Sequence, residues 1–269
     1  MTTPARVLAP LLTIRNVSRR FVTSRHNTTA VQDISLDINA GEFVCVVGPS
    51  GCGKSTLLNL IAGLDRPTEG ELLFDGKPVK GAGADRVVVF QDAALYPWLN
   101  VRANVEFGLK IKGVSGKARR TIADRYLELV NLRQFERAYV HELSGGMKQR
   151  VQLARALAVE PRMLLMDEPF AALDAQTRDV LQAELQEIWQ RTGSTIFFIT
   201  HNVREAALLS DRVFVMTPGP GRIKATIPVP LQRPRDPDTH AVVDFAAEIR
   251  KELQHDAYAS KMTESGYVI

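Results

Sequence analysis

The sequence predicts an α/β fold with a parallel sheet, because a buried strand, a glycine-rich loop and a helix follow one another directly. Residues 42–47 contain a continuous apolar run, as expected of a strand that is buried on both faces of a parallel sheet. The glycine-rich string Gly48-Pro-Ser-Gly-Cys-Gly-Lys-Ser55 follows at once and matches the phosphate-binding loop pattern. Residues 55–62 then have helical spacing, which ends at Gly63. Because strand, loop and helix come in this order, a glycine-rich turn formed by chance is disfavoured.

The segments around this motif complete a strand–helix pattern with one interruption. Further strands are predicted at residues 12–17, 31–38, 71–74, 87–90, 163–166, 195–199 and 212–216. Helices are predicted at residues 118–132, 146–159, 175–191 and 203–209. From about residue 92 to 145 the pattern turns helical, most clearly at residues 118–132, which predicts a separate helical subdomain within a domain of residues 1–227.

A proline-rich segment follows this domain, and we predict a stiff linker and a C-terminal helix and tail over residues 228–269. The prolines are Pro228, Pro230, Pro234 and Pro237. Beyond them Val242, Phe245, Ile249 and Leu253 fall on one helical face. A helix that packs back on its own domain is the favoured interpretation, and a helix that docks a partner is the alternative.

Composition limits the class of protein. The 269 residues are 45% apolar and 24% charged, which suffices for one large domain or a domain with a subdomain. The net charge of +4 requires neither nucleic acid nor an anionic membrane. We interpret the short basic run at residues 117–120 as a solvated helix face and expect no nucleic-acid partner. No apolar run reaches the 18 or so residues of a membrane span, and Cys45 and Cys52 are expected to be reduced thiols.

The phosphate loop carries the first predicted chemistry. Its glycines let backbone N–H groups face phosphate oxygens, and the helix start adds a positive dipole end. Lys54 is expected to reach the β- and γ-phosphates, and the Ser55 hydroxyl to ligate Mg²⁺. The predicted nucleotide-binding residues of this loop are Gly48, Pro49, Ser50, Gly51, Cys52, Gly53, Lys54, Ser55 and Thr56.

Two carboxylates supply the second part of a phosphate site. Asp167 and Glu168 end the apolar run Met163-Leu-Leu-Met166, and ligands bind at the carboxyl ends of strands in α/β sheets. Asp167 is expected to hold Mg²⁺ directly or through water, and Glu168 to polarise an attacking water. The alternative is that these carboxylates only cap the turn after the strand. The presence of the phosphate loop disfavours this alternative.

The string Leu143-Ser144-Gly145-Gly146 lies ahead of a helix and resembles the signature sequence of the ATP-binding cassette (ABC) ATPases. The resemblance covers about the first 225 residues and implies a cassette with an antiparallel β subdomain and a helical signature subdomain. It implies that Phe21 stacks on adenine and that Gln91 senses Mg²⁺ and the γ-phosphate. It also implies that Asp174 lies in the D-loop and that His201 is the switch histidine, although a lone histidine at a strand end is more often simply solvated.

The family resemblance further implies ATP as the nucleotide and a homodimer as the working form. Ser144 and the N–H groups of Gly145 and Gly146 would form a second anion site at a helix start, facing the phosphate loop of another subunit. Two chains then enclose two ATP molecules in an isologous arrangement. The sequence departs from the usual family pattern at four positions, which are Phe21, Met147, Ala171 and Asn202. None of these is a predicted catalytic residue, so we expect both sites to hydrolyse ATP.

Three strings further resemble the bacterial importers of nitrate, sulfonates and taurine. They are residues 92–98, residues 170–174 and the string Met216-Thr-Pro-Gly-Pro-Gly-Arg222-Ile. This resemblance implies two transmembrane permease subunits, an indirectly engaged periplasmic or lipid-anchored substrate-binding protein, and a peripheral position on the cytoplasmic face of the inner membrane. Tyr96, Pro97 and Trp98 then either receive a permease helix or belong to the subdomain core.

The sequence disfavours three other functions. A soluble cassette of DNA repair or translation usually has two cassettes or a coiled-coil insertion, which this chain lacks. An exporter or lipid-extraction cassette is weakly disfavoured by the linker and tail. A GTPase or small-molecule kinase would lack the signature helix, and the guanine-specific Asn-Lys-x-Asp string is absent.

Overall fold

The computed structural model describes residues 9–22 and 27–264, which contain ten strands and seven α-helices. The strands are β1 (Leu12–Val22), β2 (Asn27–Ile38), β3 (Phe43–Val47), β4 (Glu69–Phe74), β5 (Lys77–Pro78), β6 (Arg86–Val89), β7 (Met163–Asp167), β8 (Thr195–Thr200), β9 (Arg212–Met216) and β10 (Ile223–Pro228). The helices are α1 (Lys54–Ala62), α2 (Val101–Ile111), α3 (Gly116–Leu129), α4 (Gly145–Ala158), α5 (Ala175–Thr192), α6 (Val203–Leu209) and α7 (His240–Glu264). Within these two ranges, no helix combines the length and apolarity that crossing a membrane requires.

The chain divides into two compact units, and the first contains the described residues up to Ala82 and from Ile199 onward. Four of its strands form an antiparallel sheet in the order β2-β1-β4-β5. Strand β3 pairs in parallel with β9, which pairs antiparallel with β10. All five residues of β3 are buried, which confirms the strand predicted just before the phosphate loop.

The second unit contains residues Gly83–Phe198. Strands β6 and β7 run parallel in it, with Val89 opposite Met166, and β8 begins on the other side of β7. Helix α4 contacts α2, α3 and α5. Since Val151, Ala154 and Leu157 of α4 are all buried, this helix forms the centre of the helical packing.

Among the differences from the predicted elements, one helix has shifted bounds and one strand is additional. Helix α3 starts at Gly116 because the Ser115 side chain caps it, and it ends at Leu129, shortly before Asn131 adopts a φ of 56°. Strand β10 was not predicted at all. It lies at the edge of its sheet and none of its side chains is fully buried, although Ile223, Ala225 and Ile227 alternate with polar residues in the manner of a strand.

The C-terminal helix packs on its own unit. Helix α7 contacts α6 and β9, and Val242, Phe245 and Ile249 are buried in that contact face. Leu253 is half-buried one turn further on. This confirms the interpretation that the helix packs back on the domain, whereas the predicted boundary between residues 227 and 228 stays a prediction.

Candidate nucleotide-binding site

The predicted phosphate loop joins β3 to α1 in the first unit. Lys54, the first residue of α1, is only 6% exposed. Its Nζ donates hydrogen bonds to the carbonyl oxygens of Gly48 at 2.9 Å and Pro49 at 3.0 Å. The ammonium group therefore folds back along the loop that precedes it, where a phosphate held by the loop would meet a positive charge.

Two glycines allow the loop its shape. Gly51 and Gly53 have φ angles of 76° and 95°, which side chains of L-residues rarely tolerate. A Cβ on Gly53 would also lie 2.5 Å from the carbonyl oxygen of Ala30. Since Gly53 is the N-cap of α1, no side chain caps the first N–H groups of this helix. The helix start thus combines backbone donors with the positive end of the dipole, which suits an anion.

Phe21 and His201 also belong to the first unit. Phe21 lies near the end of β1 and is 39% exposed, with the guanidinium carbon of Arg19 at 4.6 Å from its ring centroid. His201 follows β8 directly and is exposed. The preceding residue, Thr200, donates a 2.5 Å hydrogen bond to the buried Glu205 of α6. The backbone next to His201 is therefore tied to the helix that follows it.

Gln91, Asp167 and Glu168 belong to the second unit, just beyond two neighbouring strands. Asp167 is the last residue of β7, and Gln91 lies two residues after the end of β6. Because β6 and β7 are parallel, both residues lie at the carboxyl edge of the pair, where ligands bind in α/β sheets. Glu168 has a φ of 46°, and such strained backbone in a non-glycine residue is typical of functional sites.

The signature string and the predicted D-loop residue lie at two neighbouring helix starts in the second unit. Ser144 is the N-cap of α4 and accepts a hydrogen bond from the N–H of Met147 at 3.3 Å. Asp174 is the N-cap of α5 and accepts from the N–H of Thr177 at 2.9 Å, which lowers the pKa of the carboxyl group. A Cβ on Gly146 would lie 2.6 Å from Cγ2 of Thr177, so the close approach of the two helix starts requires glycine there.

The sequence motifs do not predict the residues that position the loop after β6. Three polar side chains of α4, three residues apart along one face, donate hydrogen bonds to the loop after β6. Gln149 donates to the carbonyl of Gln91 at 2.7 Å, Gln152 to that of Phe90 at 3.2 Å, and Arg155 to those of Ala93 at 3.3 Å and Ala94 at 3.0 Å. The signature helix thus holds the backbone of the loop that carries Gln91. Buried glutamines need hydrogen-bond partners. The spacing of Gln149, Gln152 and Arg155 by three residues was the sequence signal that could have indicated a shared polar face of α4.

A buried parallel strand, a phosphate loop and a helix in direct succession define a P-loop nucleoside triphosphatase. A family model described as ABC transporter matches residues 31–171, slightly more than half of the chain. The chain belongs to the ABC transporter family, of which it is the ATP-binding, ATP-hydrolysing cassette.

Individual relatives are similar over most of the chain. A nitrate import ATP-binding protein of Synechocystis is 52% identical over 228 residues, which are 85% of each chain. A taurine import ATP-binding protein of Burkholderia pseudomallei is 51% identical over 214 residues, which are 80% of this chain and 82% of that one. A dimeric ATP-binding cassette solved in a post-hydrolysis state with ADP and Pi is 32% identical, with a TM-score of 0.72. It covers 82% of this chain and 100% of its own.

Proposed function

We propose that this chain is the ATP-hydrolysing subunit of an importer that takes up a small nitrogen or sulfur compound of the nitrate, sulfonate or taurine type. The observation that carries the proposal is the similarity to two import subunits, more than half identical over four fifths of the chain. Two permease subunits would span the membrane and carry the transported compound across it, so that the compound does not contact this chain. A substrate-binding protein would engage those permeases, and this chain would lie peripherally on the cytoplasmic face of the inner membrane.

The phosphate loop fits ATP. Its glycine-shaped backbone, the uncapped start of α1 and the buried ammonium of Lys54 together offer donors and positive charge to a chain of phosphates. Phe21 offers an exposed aromatic face to the base. Ser55, Gln91 and Asp167 would hold Mg²⁺, which would supply positive charge to neutralise the charge that develops on the phosphates.

The hydrolytic step is assigned to three residues of one chain and to the signature of a second. Glu168 would accept the proton of the attacking water, and its strained backbone holds the carboxylate at a defined place. Lys54 and His201 would hold the γ-phosphate. The anion site at the start of α4, made by Ser144 with Gly145 and Gly146, would close the same ATP from the facing subunit, so that neither half-site works alone.

A groove in the second unit suits the permease contact. It has a volume of about 290 Å³ and is lined largely by apolar side chains, among them Tyr96, Phe107 and Ile111. The Tyr96 and Phe107 rings lie 4.3 Å apart at the groove, while Ile111 is 74% exposed. Trp98 is 70% exposed and so does not belong to the subdomain core. Exposed apolar surface of this kind favours a protein partner.

Replacement of the proposed base tests the hydrolytic assignment. Glu168→Gln should bind ATP but release almost no phosphate, because the amide cannot accept the proton, and ATP should then hold the protein as a dimer. Phosphate release and size-exclusion chromatography in ATP measure both effects. Glu187→Gln is the matched control, because Glu187 lies on α5 with a 68% exposed side chain. Near-normal turnover in the Glu168 variant would contradict the assignment.

The transport assignment is tested with the protein in its native membrane. Affinity purification from native membranes should recover two polytopic permease chains together with this subunit. A variant with Trp98→Glu and Ile111→Glu should lose those chains while it keeps ATP binding. Ile111 lines the groove and the Trp98 ring centroid lies 5.6 Å from that of Tyr96 beside it, so charges at both positions oppose an apolar contact. Recovery of ribosomes or DNA in place of permeases would overturn the transport assignment.

A further inference from the structure

The string Gly219-Pro-Gly-Arg222 links β9 to β10, and its residues make a compact turn. The N–H of Thr217 donates to the carbonyl of Arg222 at 3.0 Å, and the N–H of Arg222 donates to Oγ1 of Thr217 at 3.1 Å. The Thr217 hydroxyl in turn donates to the carbonyl of Pro220 at 3.1 Å. These hydrogen bonds give the turn a defined conformation that does not depend on the phosphate loop.

The turn is also attached to β2. The N–H of Gly221 donates to the carbonyl of Ala30 at 3.0 Å, and the carbonyl of Gly221 accepts from the N–H of Gln32 at 2.8 Å. The Arg222 guanidinium adds a 2.8 Å hydrogen bond to the side chain of Gln32. Both backbone polar groups of Gly221 are therefore used, and Gly221 has little freedom to move.

Gly221 lies directly against the phosphate loop. A Cβ built on it would lie 2.0 Å from the carbonyl oxygen of Cys52 and 2.6 Å from Cε of Met216. A Cβ on Gly53 would lie 2.5 Å from the carbonyl of Ala30, the oxygen that Gly221 binds. The Cys52–Gly53 peptide is thus in close contact with both β2 and the turn.

We propose that Gly221 is a positioning residue for ATP, which sets the place of the Cys52–Gly53 peptide so that the loop fits the phosphates. The proposal rests on the phosphate-site assignment made above. Gly221 has no positive φ, so alanine there is opposed by the contact rather than by the backbone conformation. To reach even a 3.0 Å contact, the Cys52 carbonyl would have to move by at least about 1 Å, a displacement that can cost about a hundredfold in a preorganised site.

The neighbouring glycine of the same turn provides a matched control. A Cβ on Gly219 would meet only the carbonyl oxygen of Gly51, at an ordinary contact distance of 3.8 Å, and Gly219 also lacks a positive φ. Gly221→Ala should therefore raise both the Kd for the fluorescent analogue MANT-ATP and the KM for ATP by about tenfold or more. Gly219→Ala should leave both values within about twofold of the unchanged protein.

Thermal unfolding of the nucleotide-free protein separates positioning from general stability. If Gly221→Ala lowers only the unfolding temperature, and the folded protein binds MANT-ATP normally, Gly221 is merely structural and the proposal is wrong. Equal losses of MANT-ATP affinity in both glycine variants would overturn the proposal too.

Should Gly221→Ala fail to fold, Thr217→Val removes the hydroxyl hydrogen bonds of the turn without adding volume. That variant should raise the Kd severalfold, and an unchanged Kd would refute the proposal. Failure of the unchanged protein to bind MANT-ATP would instead refute the phosphate site.

Discussion

Replacement of Arg235 by methionine should lower the free energy of unfolding by about 3 kcal/mol. Arg235 lies in the proline-rich segment and its side chain is buried, with 7% of the residue exposed. Its guanidinium donates five hydrogen bonds, to the carbonyls of Ala207 (2.9 Å), Leu208 (3.3 Å), Ser210 (2.7 Å) and Leu231 (3.0 and 2.8 Å). Burial, helped by the charge of Arg233, lowers the pKa of Arg235 to about 10, so the group is still charged at neutral pH.

The expected change in the free energy of unfolding follows from the buried carbonyl groups that methionine leaves without a donor. Ala207, Leu208 and Ser210 are buried and lie at the C-terminal end of α6, where the last carbonyls of a helix have no intrahelical donor. Each buried acceptor that loses its donor costs about 1 kcal/mol or more. The loss of a cation near a helix C-terminus adds to this cost, while the removal of a buried charge offsets part of it.

Urea unfolding followed by far-UV circular dichroism measures the effect. Arg250→Met is the control, because Arg250 is exposed on α7 and methionine preserves most of its volume. That control should change the free energy of unfolding by less than about 0.5 kcal/mol. If the two variants have the same free energy of unfolding, the buried carbonyls at the end of α6 find other donors and the predicted role of Arg235 is refuted.

Two further predictions concern titrating groups. Asp174→Ala should destabilise α5 at neutral pH, because the Thr177 hydrogen bonds lower the pKa of Asp174 in the folded state and so stabilise the ionised form. That difference in unfolding temperature should fade as pH falls through the lowered pKa, and Asp174→Asn, which keeps an acceptor at every pH, should remove the pH dependence. Cys45 and Cys52 are 0% and 1% exposed, and burial raises the pKa of both thiols. Iodoacetamide should therefore modify neither thiol in the folded protein and both after unfolding, as measured by mass spectrometry; rapid modification of the folded protein would contradict the burial.

Much of the fold could be predicted because the signals are local. The buried strand β3, the loop and helix α1 with its glycine ends are encoded within residues 42–63, and the structure confirms each of them. Strand β10 was not predicted, although the alternation of Ile223, Ala225 and Ile227 with polar residues is itself a local strand signal. The hydrogen bond from Gln149 to the Gln91 carbonyl joins residues 58 positions apart, and no local pattern predicts which distant carbonyl a buried glutamine will meet.

The sequence by itself determined the class of protein, because phosphate-loop chemistry needs particular residues at fixed spacing and the motif has to be continuous in the chain. It likewise placed Asp167 and Glu168 at a strand end and Ser144 at a helix start. Only the tertiary structure decided what supports these residues. Gly221 is brought against the phosphate loop by strand pairing, and Arg235 reaches the end of α6 across the packed C-terminal segment. Such contacts depend on where distant backbone groups lie, which is a property of the packed chain and is not encoded in any single segment of it.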